Sequence, residues 1–197
     1  VASGNIHRHV PSLTYLPYGL YCPPFFNSLL IVYTTLRGNT GKMVEPVAEG
    51  IRAEGVEARI VPADQATMAD LRQADGIIVG SPTRFGAVDW QIKRLFDVVS
   101  VEGYPGPLEG KVGGAFTAGS RAGSGAELVL LNALHILLNH GLIVQGEPFG
   151  AHYGPVALGE PTEQVLESCR KWGGRWARLV KRLNGGLPAP GSSLVPR

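Results

Sequence analysis

Three short segments of this chain combine small residues, hydroxyls and cations in a pattern that suits a flat, anionic ligand. The first is Thr35-Leu36-Arg37-Gly38-Asn39-Thr40. It follows an apolar run and precedes a helical pattern, so it presents unpaired backbone N–H groups at the positive end of a helix dipole, where a phosphate dianion is stabilised. Thr35 and Thr40 add hydroxyl donors, and Gly38 lets the backbone approach closely. The spacing is not a Walker A loop, because no Gly-Lys-Ser/Thr closes it, and it is not Gly-x-Gly-x-x-Gly. Taken alone, the segment reads equally as a plain strand-to-helix connection with a capping threonine.

The second segment is Ser81-Pro82-Thr83-Arg84-Phe85-Gly86. Pro82 stiffens it, and Gly86 permits an unusual backbone angle. Its N–H groups suit the polar edge of a flat heterocycle, with Arg84 nearby as a cation. The plainer alternative leaves Arg84 solvated and Phe85 capping the core. The third segment, Thr117 to Gly125, carries three glycines and two serines. It is either slack or a close-fitting rim.

These segments need elements to hold them. Leu29-Leu30-Ile31-Val32-Tyr33 is a continuous apolar run, as in a strand buried on both faces of a parallel sheet. Val44, Val47, Ala48 and Ile51 then recur at helical spacing up to Gly55, and Pro46 argues for a helix start near Lys42. Strands are expected at Val56 to Val61, Gly76 to Gly80, Lys111 to Thr117 and Leu142 to Val144. Helices are expected at Met68 to Ala74, around Ile92, Leu95, Phe96 and Val99, from Glu127 to His140, and from Glu163 to Leu183. Such alternation predicts an α/β fold: a parallel sheet, right-handed crossovers and helices on both faces. All three polar segments then lie at carboxyl ends of strands, where open α/β sheets bind ligands.

The chain has 197 residues, 44% hydrophobic and 17% charged, with a net charge of +2. This predicts one globular domain with a core of its own. Lys and Arg are scattered, so no nucleic-acid surface is indicated, and no run of about 18 apolar residues marks a membrane span. Cys22 and Cys169 stand far apart, show no metal-ligand spacing and fit a cytoplasmic protein with reduced thiols. No metal site is expected. Residues 1–28 show neither period and read as an extension outside the fold, the domain occupying residues 29–186. In the 187–197 tail, Leu194-Val195-Pro196-Arg197 reads as the remnant of a cleaved protease site.

Ile31 to Thr40 resembles the flavodoxin phosphate-loop signature. Gly80-Ser81-Pro82-Thr83-Arg84-Phe85-Gly86 resembles the Pro-Thr-Arg-Phe-Gly segment of the tryptophan-repressor-binding-protein family, which are flavodoxin-like NAD(P)H:quinone oxidoreductases. Asn139-His140-Gly141-Leu142-Ile143-Val144 resembles that family's His-Gly segment before the last strand. The resemblance spans Leu29 to Leu183 and implies a flavodoxin-like, doubly wound, five-stranded parallel sheet of order 2-1-3-4-5 holding FMN, with NAD(P)H as co-substrate. It implies that Thr35, Leu36, Arg37, Gly38, Asn39 and Thr40 hold the FMN phosphate. Pro82, Thr83, Arg84, Phe85 and Gly86 would contact the isoalloxazine, and Thr117, Ala118, Gly119 and Ser120 would flank the ribityl chain and ring. His140 matches a family histidine near the flavin and is the candidate catalytic residue; it reads equally as a cation favoured at a helix C-terminus. His152 and Tyr153, in the compact stretch Glu147 to Pro161, are expected to reach a flavin-side cavity.

Some features depart from the family. Met43 and Pro46 replace an Ala and an aliphatic residue of the flavodoxin signature, and Val101 to Gly110 is short and lacks a Trp-bearing insertion near the quinone site. Two functions remain open. One is an enzyme passing two electrons from NAD(P)H through FMN to a quinone-like acceptor, as a dimer or tetramer. The other is a flavodoxin-type single-electron carrier. Carriers surround the flavin with acidic groups; here Arg37 and Arg84 occupy those loops, and a nearby cation favours the anionic, fully reduced flavin. That favours the enzyme.

Overall fold

The computed structural model describes residues 27–100 and 106–185. Its elements are β1 (Ser28–Tyr33), α1 (Asn39–Ala53), β2 (Glu57–Pro62), α2 (Met68–Gln73), β3 (Gly76–Pro82), α3 (Trp90–Ser100), β4 (Val112–Gly119), α4 (Ala126–Asn139), β5 (Ile143–Val144), β6 (Val156–Leu158) and α5 (Glu163–Leu183). The strands run parallel in the order β2-β1-β3-β4-β5, as the resemblance implies. The fifth position is shared by two short pieces. β5 pairs with Val112 and Gly113 of β4, and β6 pairs with Thr117 to Gly119. The expected five-stranded sheet therefore has a split edge strand, and β6 is too short to show a period of its own in the sequence.

Each inner strand sends alternate residues to opposite faces. Leu30, Val32, Ile77, Val79 and Ala115 join Leu71 of α2, Phe96 of α3 and Leu137 of α4 in one core cluster. Leu29, Ile31, Ile78 and Phe116 join Met43 of α1 and Trp172 and Trp176 of α5 in the other. Helices α1 and α5 cross in close contact because glycines meet backbone there. A Cβ on Gly50 would stand 1.9 Å from the Arg170 carbonyl oxygen, and one on Gly173 would stand 2.2 Å from that of Val47. Cys169 is buried in this interface, and desolvation pushes its thiol up to about 12, which makes it an inert packing residue.

Two boundaries differ from expectation. The first helix starts at Asn39, not near Lys42, so Pro46 lies inside it. The proline forgoes one bond to the Lys42 carbonyl, but buried Met43, Val47 and Ile51 on either side hold the helix together through it. The fold also takes in Ser28, which pairs with Glu57 and donates its N–H to Asp75 (2.8 Å). Residues 1–26 of the extension, Cys22 among them, residues 101–105 of the shortened Val101 to Gly110 segment, and the 187–197 tail lie outside the described residues. Among the described residues no helix is long and apolar enough to cross a membrane.

Candidate functional site

The carboxyl ends of β1, β3 and β4 stay in step, and this brings the three polar segments together. Thr34 N–H donates to Gly80 O (2.9 Å), and Thr83 N–H donates to Ala118 O (3.0 Å). In the first loop the Thr35 hydroxyl accepts from Gly41 N–H at 3.2 Å, folding the loop over the start of α1. Gly38 is the N-cap at φ 83°. The first N–H groups of α1 have no intrahelical partner, so the loop ends in a nest of donors at a positive dipole end.

The second loop turns back immediately after β3. Arg84 and Ala87 exchange both backbone hydrogen bonds at 3.1 Å, and the residues between them, Phe85 and Gly86, have φ of 52° and 80°. This is the geometry of a type I′ turn. Phe85 is a bulky residue at positive φ, which carries strain, and its ring is fully exposed at the tip. In the third loop, Gly119 leaves room that a side chain would take. A Cβ there would stand 2.5 Å from Ser124 Oγ and 3.2 Å from Thr83 Oγ1.

Between the loops lies a cavity of about 670 Å³, a size typical of cofactor sites. The first loop lines it with Leu36, Arg37, Asn39 and Thr40, and the second with Pro82, Thr83, Arg84 and Phe85. From the third loop come Ala118, Gly119, Ser120, Arg121 and Ser124, and Gly159 closes it after β6. Among the described residues four buried hydroxyl oxygens have no hydrogen-bond partner: Thr34, Thr40, Thr83 and Ser124. Three of the four line this cavity. Buried polar groups in native proteins are almost always paired, so these hydroxyls mark where a polar ligand supplies the missing partners. A phosphate and a hydroxylated chain fit that donor set, and the Gly119 clearance admits a group against the backbone.

Among the described residues three arginines line the cavity, Arg37, Arg84 and Arg121, and no carboxylate does. Behind Arg84 stands Asp89, 8% exposed, its Oδ2 3.6 Å from Arg84 Nε. Asp89 is held in turn. Its Oδ1 accepts from Gln91 N–H (3.1 Å), capping α3, and its own N–H donates to Ser81 Oγ (2.9 Å). The Ser81 hydroxyl donates to Pro82 O (2.9 Å), and Thr117 Oγ1 donates to Ser81 O (2.7 Å).

Several expected residues take other places. Thr117 is fully buried and does not line the cavity; its hydroxyl is taken up by the bond to Ser81 O, which braces β3. Thr35, Gly38 and Gly86 shape the loops without lining the cavity. His152 and Tyr153 border a neighbouring hollow of about 570 Å³ with Glu127 and Leu130, and His152 Nδ1 is bonded to Glu147 O (2.7 Å). His140 is not brought to the cavity of this chain. Helix α4 begins beside it at Ala126 and runs 14 residues to Asn139, so its C-cap His140 lies roughly 20 Å away. There the ring packs on Phe96, centroids 5.3 Å apart, and burial holds its pKa below the usual histidine range. Arg121, Ser124 and Gly159 were not singled out from the sequence. The first two lie in the Gly/Ser loop and were legible there; Gly159 depends on β6, which was not.

A sequence profile of the NADPH-dependent FMN reductase family matches residues 61–154. A flavodoxin of Aquifex aeolicus is 42% identical over 77% of this chain and 86% of that protein. An NAD(P)H dehydrogenase (quinone) of Archaeoglobus fulgidus is 31% identical over 79% of this chain and 98% of its own length. The crystal structure of a flavodoxin, WrbA-like protein from Agrobacterium tumefaciens superposes with a TM-score of 0.68 at 28% identity, covering 79% of this chain and 98% of that one.

Proposed function

Because the chain belongs to the flavodoxin-like family, whose members include WrbA-like proteins and NAD(P)H dehydrogenases (quinone), we propose that it is an FMN-dependent oxidoreductase that takes electrons from NAD(P)H and delivers them in pairs to a quinone-like acceptor. Bound FMN supplies the two-electron chemistry; the chain supplies binding, orientation and charge. The Thr35–Thr40 loop and the N-terminus of α1 hold the phosphate, with the Thr40 hydroxyl completing its bonds. Thr83, Ser124 and the Ala118–Ser120 backbone face the ribityl chain and the ring. The Phe85 turn and Arg84 border the ring, and the exposed Phe85 leaves one face reachable by substrates.

The observation that carries the two-electron reading is the lining of the cavity, among the described residues, by three arginines and no carboxylate. Positive surroundings stabilise the anion formed when both electrons are on the flavin. The carrier reading keeps one support, the 42% identity to a flavodoxin. NAD(P)H is an intracellular reductant, so a cytoplasmic setting follows from the chemistry. A homo-oligomer is the expected state, and Leu128 and Leu138, 59% and 53% exposed on α4, are apolar surface that it would cover.

The deciding experiment is NADH and NADPH oxidation by the FMN-loaded protein, with and without benzoquinone. Quinone-dependent turnover, together with bleaching of the flavin in a single two-electron step on titration, is expected. No turnover with either nucleotide and two resolved one-electron steps would establish the carrier instead.

A further inference from the structure

A second, shallower groove adjoins the flavin cavity and shares Arg84 with it. It has a volume of about 740 Å³ and runs along the outer face of α3 past Val88, Trp90, Lys93, Arg94, Asp97 and Val98. Its central feature is Trp90, 63% exposed at the first position of α3. Lys93 and Arg94 stand three and four residues further on, on the same helix face as Trp90. The cations differ in what already holds them. Arg84 faces Asp89, and Lys93 is paired with Asp97. Arg94 makes no ion pair among the described residues and carries the net positive charge of the groove. Beyond Trp90 a smaller hollow of about 270 Å³, which Arg94 also lines, contains Asp64.

We propose that this groove binds the adenosine-phosphate half of NADPH, with adenine stacked on Trp90 and a phosphate bound by Arg94. The inference rests on the oxidoreductase reading above, which requires a nicotinamide at the flavin. A dinucleotide is far too long for the flavin cavity once FMN fills it, so its second half must lie on adjoining surface. Only a surface that starts at the cavity mouth serves, and this groove does so through Arg84. Its chemistry suits that half: an indole offers a stacking face for a base, and a guanidinium offers two parallel donors to a phosphate. Among the described residues Arg94 has no ion-pair partner to give up on binding. The groove therefore favours NADPH, which carries the additional 2′-phosphate, over NADH.

The test uses the FMN-loaded protein and adenosine 2′,5′-bisphosphate, which has the base and the 2′-phosphate but no nicotinamide. Trp172 and Trp176 are 4% and 3% exposed, so quenching of tryptophan emission by this probe reports Trp90. Saturable quenching is expected. Arg94→Ala should weaken probe binding about tenfold and raise the KM for NADPH by a similar factor, leaving kcat and the KM for quinone unchanged. Trp90→Ala should weaken calorimetric binding of the probe without changing FMN content. Unaltered probe affinity in both variants would overturn the proposal. So would blue-shifted Trp90 emission with no probe binding, which means that a second copy of the chain covers the groove. FMN content, measured separately, keeps the two readings apart. Arg94-dependent probe binding in a protein that takes up no FMN would sustain the groove and sink the flavin assignment. Full quinone reductase activity with no effect of Arg94→Ala would do the reverse.

Discussion

The guanidinium of Arg84 stands 3.6 Å from the carboxylate of Asp89, so the cation at the mouth of the cavity is held from behind by an anion. Arg84 is 39% exposed and Asp89 11% by side chain, which places the pair at the boundary between solvent and core. Asp89 thereby orients Arg84 and offsets part of its charge. The influence of Arg84 on a bound flavin is smaller than the sequence alone implied.

That arrangement predicts opposite effects of two substitutions. Asp89→Asn retains an oxygen to cap α3 but leaves Arg84 uncompensated, and it should raise the two-electron potential of bound FMN. Arg84→Ala should lower it. A half-exposed ion pair contributes about 1 kcal/mol, equivalent to roughly 20 mV for two electrons. Spectroelectrochemistry of the two variants checks this, and a shift of the same sign in both would exclude the pair as the cause.

Thr40→Val removes a buried hydroxyl that has no partner among the described residues. FMN affinity should fall about tenfold, as expected for loss of a hydrogen bond to a charged group, while riboflavin affinity stays the same. The apoprotein should be no less stable than wild type, since an unsatisfied polar group is replaced by an apolar one. Flavin-fluorescence titration and thermal denaturation read the two effects separately. Equal losses for both flavins would remove Thr40 from the phosphate site.

Gly173→Ala puts a methyl group 2.2 Å from the Val47 carbonyl oxygen, and backbone cannot yield as a side-chain tip can. Helices α1 and α5 must separate, at a cost of about 3 kcal/mol. Urea denaturation should show a lower midpoint with an unchanged slope.

His140 is tested by pH. Burial lowers its pKa below the reference 6.5, with Asp97 opposing the shift and Lys93 reinforcing it. The unfolded chain thus takes up a proton before the folded one does. Stability from this residue is present above pH 6.5 and is lost as pH falls through the lowered folded value. His140→Gln should flatten the decline in Tm below pH 6.5 and leave quinone reduction unchanged. A large loss of kcat would return His140 to the catalytic machinery, through contact with a neighbouring copy.

The sheet, its order and the loops at its carboxyl edge were legible because they rest on local signals. Apolar runs such as Leu29 to Tyr33 mark strands buried on both faces, and hydroxyl- and glycine-rich stretches between strand and helix mark donor loops wherever they occur. Tertiary structure decided matters of distance between residues remote in sequence. Thr117 and Ala118 are neighbours, yet the pleat sends them to opposite faces, and only Ala118 lines the cavity. His140 matched a family pattern, but a rigid helix of 14 residues carries it away from the loop where that helix begins. The same register that seats Thr83 beside Ala118 brings Ser124 and Gly159 to the site and sets Asp89 behind Arg84. Short-range sequence pattern specifies which groups can bind; only the packing of distant segments specifies which of them meet.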